Sequence, residues 1–152
     1  MGEVAIAEAT EADALELAPQ MRQADLEEVL AMGYADGLEA LQASLAESQE
    51  AWAVRFDGEL GGVFGVASVG IRQGVVWMLS GAVVDQHRKT FMRASRAAVQ
   101  GLLLRWDLLV TLVDARYLAA LQWAECLGFT FGAPVPFGPR GLSFVPISLR
   151  GA

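Results

Sequence analysis

The chain has 152 residues, of which 54% are hydrophobic and 19% are charged, and its formal net charge is −7. This composition excludes the disordered class, and the length suits one domain, so we predict a single domain over residues 1–152. Acidic surfaces oppose binding to nucleic acid backbones, which depends on many Lys and Arg contacts. The apolar stretches are shorter than the roughly 20 residues of a membrane span. We therefore expect neither nucleic acid nor a membrane as a partner.

The first fifty positions predict a strand followed by helices. Residues 4–8 alternate weakly between apolar and polar side chains. Thr10 followed by Asp13 is typical of a helix start with acids in its first turn. Apolar spacing indicates two more helices, over about 23–32 and 36–48.

A meander of three strands is predicted next. The apolar segments AWAVRF and LGGVFGVASVGI flank Asp57-Gly58, which is a strong hairpin signal. A third strand is expected over 75–84, after a turn at Gln73-Gly74.

The second half predicts one long amphipathic helix, over about 85–106, before an apolar strand at 108–113. A strand, a helix and a strand in this order form a unit whose strands are parallel, so the sheet is mixed.

The chain closes with a helix over about 115–127, which ends at the C-cap residue Gly128, and two strands. Cys126 within this helix is expected to be a small buried hydrophobic residue. One histidine and one cysteine supply no zinc ligand set, so no metal site is predicted.

This order of elements resembles the acyl-CoA N-acyltransferase fold of the GNAT superfamily. The segment VDARYLAALQWAECLGF, residues 113–129, is similar to that superfamily's fifth strand, fourth helix and Leu-Gly-Phe ending. The resemblance implies an α/β (α+β) fold with a mixed, mostly antiparallel twisted sheet of about six or seven strands and about four or five helices. It also implies that the strands at 75–84 and 107–113 splay apart at their ends, and that Trp77, Trp106 and Trp123 contribute to the core around the long helix.

Active members of the superfamily bind CoA where the helix after the fourth strand begins, through a motif with Gln or Arg at its start and two small residues later. Gln86 matches the start, whereas Lys89 and Phe91 stand at the small positions. Glycines there let the backbone approach a phosphate closely, and Asp85 is expected to cap the helix and repel a phosphate. If acetyl-CoA binds, the resemblance implies contacts from Val84, Gln86, Arg88, Lys89 and Thr90.

The expected catalytic positions are altered as well. Many active members carry a general-acid Tyr at the position of Ala124, and an alanine transfers no proton. Tyr117 is expected to be a packing residue. Asp114 is the one candidate base by position, although a structural role such as capping the next helix is favoured. No catalytic residue is therefore assigned.

A narrower resemblance concerns the runs VVWMLSG, HRKTFMRASR and PFGPRGLSF, which look like the GNAT-like internal virion proteins of short-tailed bacteriophages (podoviruses). It implies a noncatalytic virion or morphogenesis component without a cofactor, located in the virion or in the host cytoplasm during assembly. Its partners would be other phage structural proteins, and homo-oligomerisation stays open. The alternatives are an acetyl-CoA-dependent N-acetyltransferase with a variant cofactor site and a small anti-host protein.

Overall fold

The computed structural model describes residues 3–151, which form eight strands and five α-helices. In chain order they are β1 Val4–Glu8, α1 Glu11–Leu17, α2 Gln23–Met32, α3 Gly37–Glu47, β2 Glu50–Phe56, β3 Glu59–Gly70, β4 Gln73–Ser80, α4 Arg88–Leu102, β5 Leu108–Asp114, α5 Leu118–Cys126, β6 Thr130–Phe131, β7 Val135–Phe137 and β8 Leu142–Arg150. Two short 3-10 helices cover Ala18–Gln20 and Ala82–Gln86. Among these described residues, no helix combines the length and the apolar character needed to cross a membrane.

The strands form one mixed sheet in the order β1-β2-β3-β4-β5-β8-β6, and β7 also pairs with β8. All pairs are antiparallel except β4 and β5. These two strands pair only from Gln73 opposite Leu108 to Val75 opposite Val110, and then separate. The mixed, mostly antiparallel sheet and the splayed strands are confirmed. The sheet has eight strands because an additional short strand, β7, forms between the two closing strands that the sequence predicts.

Of the two turns predicted in the meander, one is present in the structure and the other lies elsewhere. The hairpin at Asp57-Gly58 is confirmed, and both residues have positive φ, 51° and 84°. The turn predicted at Gln73-Gly74 is wrong, because Gln73 already begins β4 and the turn falls two residues earlier, at Ile71-Arg72, where Arg72 has a φ of 54°. Gly74 lies inside β4, where a Cβ would collide with the side chain of Val66, so this position needs a glycine for close packing and not for a turn.

The predicted strand over 75–84 and the predicted helix over 85–106 are both shorter in the structure. β4 ends at Ser80 because its backbone groups are bound by the chain around α2: the N–H of Arg22 donates to the Ser80 carbonyl (2.8 Å), and the Ser80 N–H donates to the Asp25 carboxylate (2.9 Å). A 3-10 helix then carries the chain to α4.

Helices α1, α2 and α3 contribute to a core cluster on one face of the sheet, and α4 and α5 to clusters on the other. Trp106 and Trp123 pack on the side of α4, as predicted. Trp77 does not, because its place in β4 directs it to the opposite face, where its indole N–H donates to the hydroxyl oxygen of Ser48 (2.7 Å).

Candidate functional site

The separation of β4 and β5 opens a cleft of about 980 Å³. Its lining includes Arg88 and Trp123 on the side of α4 and α5, and Asp25 and Glu28 on the side of α2. The cleft thus passes between the strands and reaches both faces of the sheet. Its volume is at the upper end of the range for small-molecule sites.

Two acids of α2 hold the separated strand ends. Asp25 accepts the N–H (2.9 Å) and the hydroxyl (2.5 Å) of Ser80, the last residue of β4. Glu28 accepts the N–H of Asp114, the last residue of β5, at 2.9 Å. Residues three apart share a helix face, so one face of α2 binds both strand ends. These bonds replace part of the hydrogen bonding that β4 and β5 do not make with each other.

The register of β4 determines which of its backbone groups face the cleft. The N–H of Gly81 donates to the carbonyl of Gly61 on β3 (2.9 Å). Because backbone directions alternate along a strand, the even-numbered residues of β4 direct their N–H and C=O away from β3. Met78 is one of these, and it lies beyond Val75, the last residue that pairs with β5. The backbone N–H and C=O of Met78 therefore point into the gap.

The acids on α2 lie in an environment that disfavours their charge. Burial, reinforced by the carboxylates of Asp25 and Asp114, raises the pKa of Glu28 to about 7. Burial also raises the pKa of Asp25, against the hydrogen bonds from Ser80. Burial and the Asp25 charge raise the pKa of Tyr117. The guanidinium carbon of Arg22 lies 5.7 Å from the centre of the Tyr117 ring. The positive charge of Arg22 also lowers the pKa of Asp25, against the effect of burial.

Asp114, the base candidate from the sequence, has a structural role. Its carboxylate accepts the backbone N–H of Arg116 (2.9 Å) and pairs with the Arg116 guanidinium (2.7 Å). Although burial alone would raise the pKa of Asp114, the hydrogen bonds and charge of Arg116 lower it overall. Asp114 holds the turn before α5 and does not cap that helix, whose N-cap residue is Tyr117. Tyr117 is buried, as a packing residue should be, and it also lines the cleft.

The start of α4 differs from the sequence prediction in a way that matters for anions. Asp85 does not cap the helix; its carboxylate pairs with Arg22 at 3.4 Å. The N-cap residue is His87, whose side chain makes no capping bond and whose ring stacks on Phe56 at 5.1 Å. The first-turn N–H groups of this 15-residue helix therefore have no side-chain cap, and the helix dipole makes this end positive.

The five predicted CoA contacts are distributed around this helix start. Val84 is buried and Arg88 is exposed, and both line the cleft. The other three, Gln86, Lys89 and Thr90, belong to the same turns but stand outside the cleft lining.

Phe91, expected to stand in the way of a phosphate, is directed into the protein interior. Its ring centre lies 6.3 Å from that of Phe56 and 6.1 Å from that of Trp123. Its ring is therefore used in packing, and it also lines the cleft near Arg88.

Sequence reasoning missed Arg22, Asp25 and Glu28. A signal was present for Asp25, because it precedes the buried Val29 by four residues and so shares the inward face of α2. Cys126 was predicted to be buried, but it is exposed and lines the cleft. Within residues 3–151, no three His, Cys, Asp or Glu side chains are grouped to hold a metal ion.

Comparison with solved structures shows the GNAT acetyltransferase fold. An acetyltransferase of the GNAT family from Streptococcus pneumoniae has a TM-score of 0.66 and 16% identity, over 99% of this chain and 100% of that one. Ard1 from Thermoplasma volcanium has a TM-score of 0.72 and 12% identity, over 98% of both chains. The protein yncA from Salmonella typhimurium, solved with its cofactor acetyl-CoA, has a TM-score of 0.64 and 14% identity, over 98% of this chain and 94% of that one. No family model and no curated protein matches the sequence.

Proposed function

We propose that the chain is an acetyl-CoA-dependent N-acetyltransferase with a variant cofactor site. One observation carries this proposal: the gap between β4 and β5 leads from the uncapped start of α4 to the acids of α2, so it joins a place for an anion to a place for an amine. The fold supports it, since one structure with the same fold was solved with acetyl-CoA.

The start of α4 suits the phosphates of CoA. The N–H groups of Arg88, Lys89 and Thr90 lie in the first turn, where no helical bond uses them. The side chains of Arg88 and Lys89 are exposed and add two positive charges. In this proposal the two side-chain charges attract the phosphates. Helix starts that contain glycine instead bind a phosphate by bringing their backbone N–H groups closer to it.

The gap itself suits the thioester arm. The pantetheine arm of CoA is a flexible chain with amide groups, and the backbone N–H and C=O of Met78 would be available to hold it between the two strands. An N–H group aimed at the thioester oxygen stabilises the negative charge that develops there during acyl transfer. The bound thioester supplies an activated acetyl group, and the acceptor amine approaches from the side of α2, where Asp25 and Glu28 lie.

The test is release of the CoA thiol from acetyl-CoA in the presence of a panel of amines, with the acetylated product identified by mass spectrometry. Arg88→Ala and Lys89→Ala should each raise the KM for acetyl-CoA about tenfold, because each removes a charge-assisted contact. Arg96→Ala is the matched control, since Arg96 is exposed two turns along the same helix. A wild-type chain that acetylates no amine in the panel would overturn the proposal.

A noncatalytic virion or morphogenesis role is the second candidate. It is favoured by the resemblance of VVWMLSG and the neighbouring runs to internal virion proteins, and by Ala124 at the general-acid position. Exposed apolar side chains on the described surface, among them Ile71 and Leu104, offer contacts for other phage structural proteins. Copurification with phage particles, together with no heat from acetyl-CoA at millimolar concentration, would favour this candidate. Absence from particles would count against it.

A further inference from the structure

We infer that Glu28 is the general base that accepts the proton of the acceptor amine. This inference rests on the proposed acyl transfer and adds a catalytic residue that the sequence pattern does not assign.

The position of Glu28 fits this role. One carboxylate oxygen, Oε2, is fixed by the N–H of Asp114 at 2.9 Å, at the end of β5 where the cleft opens. The other oxygen, Oε1, receives no hydrogen bond from residues 3–151. Oε1 is also accessible to solvent. Within residues 3–151 no side-chain polar atom is both fully buried and without a hydrogen-bond partner, and Oε1 has no such partner. The backbone thus orients the carboxylate and leaves one oxygen for a substrate proton.

The other acids of the cleft are less suited. Asp25 is only 3% exposed and is occupied by two bonds from Ser80. Asp85 is paired with Arg22 near the start of α4. Glu47 lines the cleft from α3 but is exposed to solvent. Glu28 combines partial burial, a fixed orientation and an available oxygen.

The charges around Glu28 favour proton uptake near neutral pH. Asp25 acts on it from the same helix, and Asp114 from β5. Arg22 and Tyr117 also belong to this group and interact with Asp25, and the charge of Glu28 acts on Tyr117 as well. The cation of Arg116 is held by Asp114. With burial, the two carboxylates raise the pKa of Glu28 to about 7. A general base works best when its pKa is close to the working pH.

The chemical step balances with these groups. The neutral amine nitrogen attacks the thioester carbon, a C–N bond forms and the C–S bond breaks. The nitrogen gives its proton to the Glu28 carboxylate. CoA leaves as the thiolate with the electron pair of the C–S bond and takes a proton from water, and Glu28 then returns its proton to water.

The test compares the wild type with Glu28→Gln, in which the amide oxygen still accepts the Asp114 N–H. The control is Glu27→Gln, which alters an exposed acid on the same helix. We expect Glu28→Gln to lower kcat by about 100-fold or more, while affinity for acetyl-CoA in calorimetry stays unchanged. The wild-type rate should fall as the pH drops below about 7, and this limb should vanish from the residual rate of the variant.

Glu28→Asp, which keeps a carboxylate, should be slower than the wild type but retain the acidic limb. Near-normal kcat, or an unchanged acidic limb, in a folded Glu28→Gln variant would overturn the inference and leave the proposed acetyl transfer intact. A wild-type chain that releases no thiol with any amine would overturn both.

Discussion

Replacing Glu28 by Gln should change how the stability of the protein depends on pH. The pKa of Glu28 rises from 4.5 to about 7 on folding, so between these values the folded state holds a proton that the unfolded state has lost. A group of this kind stabilises the fold at low pH, and its contribution is lost as the pH rises through about 7. One pKa unit corresponds to about 1.4 kcal/mol. The wild type should therefore lose up to roughly 3 kcal/mol relative to Glu28→Gln between pH 4.5 and pH 8.

The assay is urea unfolding of the wild type, Glu28→Gln and Glu27→Gln at several pH values in this range. The difference in unfolding free energy between wild type and Glu28→Gln cancels the other titrating groups, apart from the neighbouring Asp25 and Asp114, whose charges act on Glu28. Glu27→Gln should follow the wild type, because Glu27 is exposed. If that difference is the same at pH 4.5 and pH 8, the carboxyl group of Glu28 does not titrate as described, and the electrostatic reasoning about this site is refuted.

Two further substitutions test the structure around the cleft and the closing loop. Ser80→Ala should cost about 1–3 kcal/mol in urea unfolding, because the buried Asp25 loses the hydroxyl that donates to it; a cost near zero would show that this bond does not hold the end of β4. Gly138→Ala should cost at least about 3 kcal/mol, because φ is 78° and the new Cβ would collide with the carbonyl of Ala31. Gly58→Ala is its control: φ is 84° but nothing lies within 4 Å, so a cost of about 1 kcal/mol is expected, and equal costs at both positions would refute the steric argument.

Features encoded by neighbouring residues could be predicted from the sequence. The start of α1 is one: Thr10 and Asp13 form the reciprocal bonds of a capping box within four residues. The hairpin at Asp57-Gly58 is another. Gly74 led to a wrong turn prediction. A glycine is needed there because the side chains of Val66 and Trp106, which are distant in sequence, pack closely against its backbone.

Most of the candidate site could not be predicted from the sequence, because its residues are positioned by contacts with residues that are distant in sequence. Asp85 precedes a helix and has the chemistry of a cap, yet Arg22, 63 positions earlier in the sequence, binds its carboxylate. Phe91 occupies a position where a small residue was expected, but the rotation of α4 directs its ring to the core. The roles of Asp25 and Glu28 depend on bonds to strand ends 55 and 86 residues away. Such pairings follow from the tertiary fold and leave no local pattern.

The most direct test of the central claim is calorimetric titration of acetyl-CoA into the wild-type chain and into the Arg88→Ala and Lys89→Ala variants. We expect micromolar binding that weakens about tenfold in each variant and is unchanged in an Arg96→Ala control. No heat at millimolar acetyl-CoA, or equal binding by all four proteins, would contradict the claim that the uncapped start of α4 and the gap between β4 and β5 form a cofactor site.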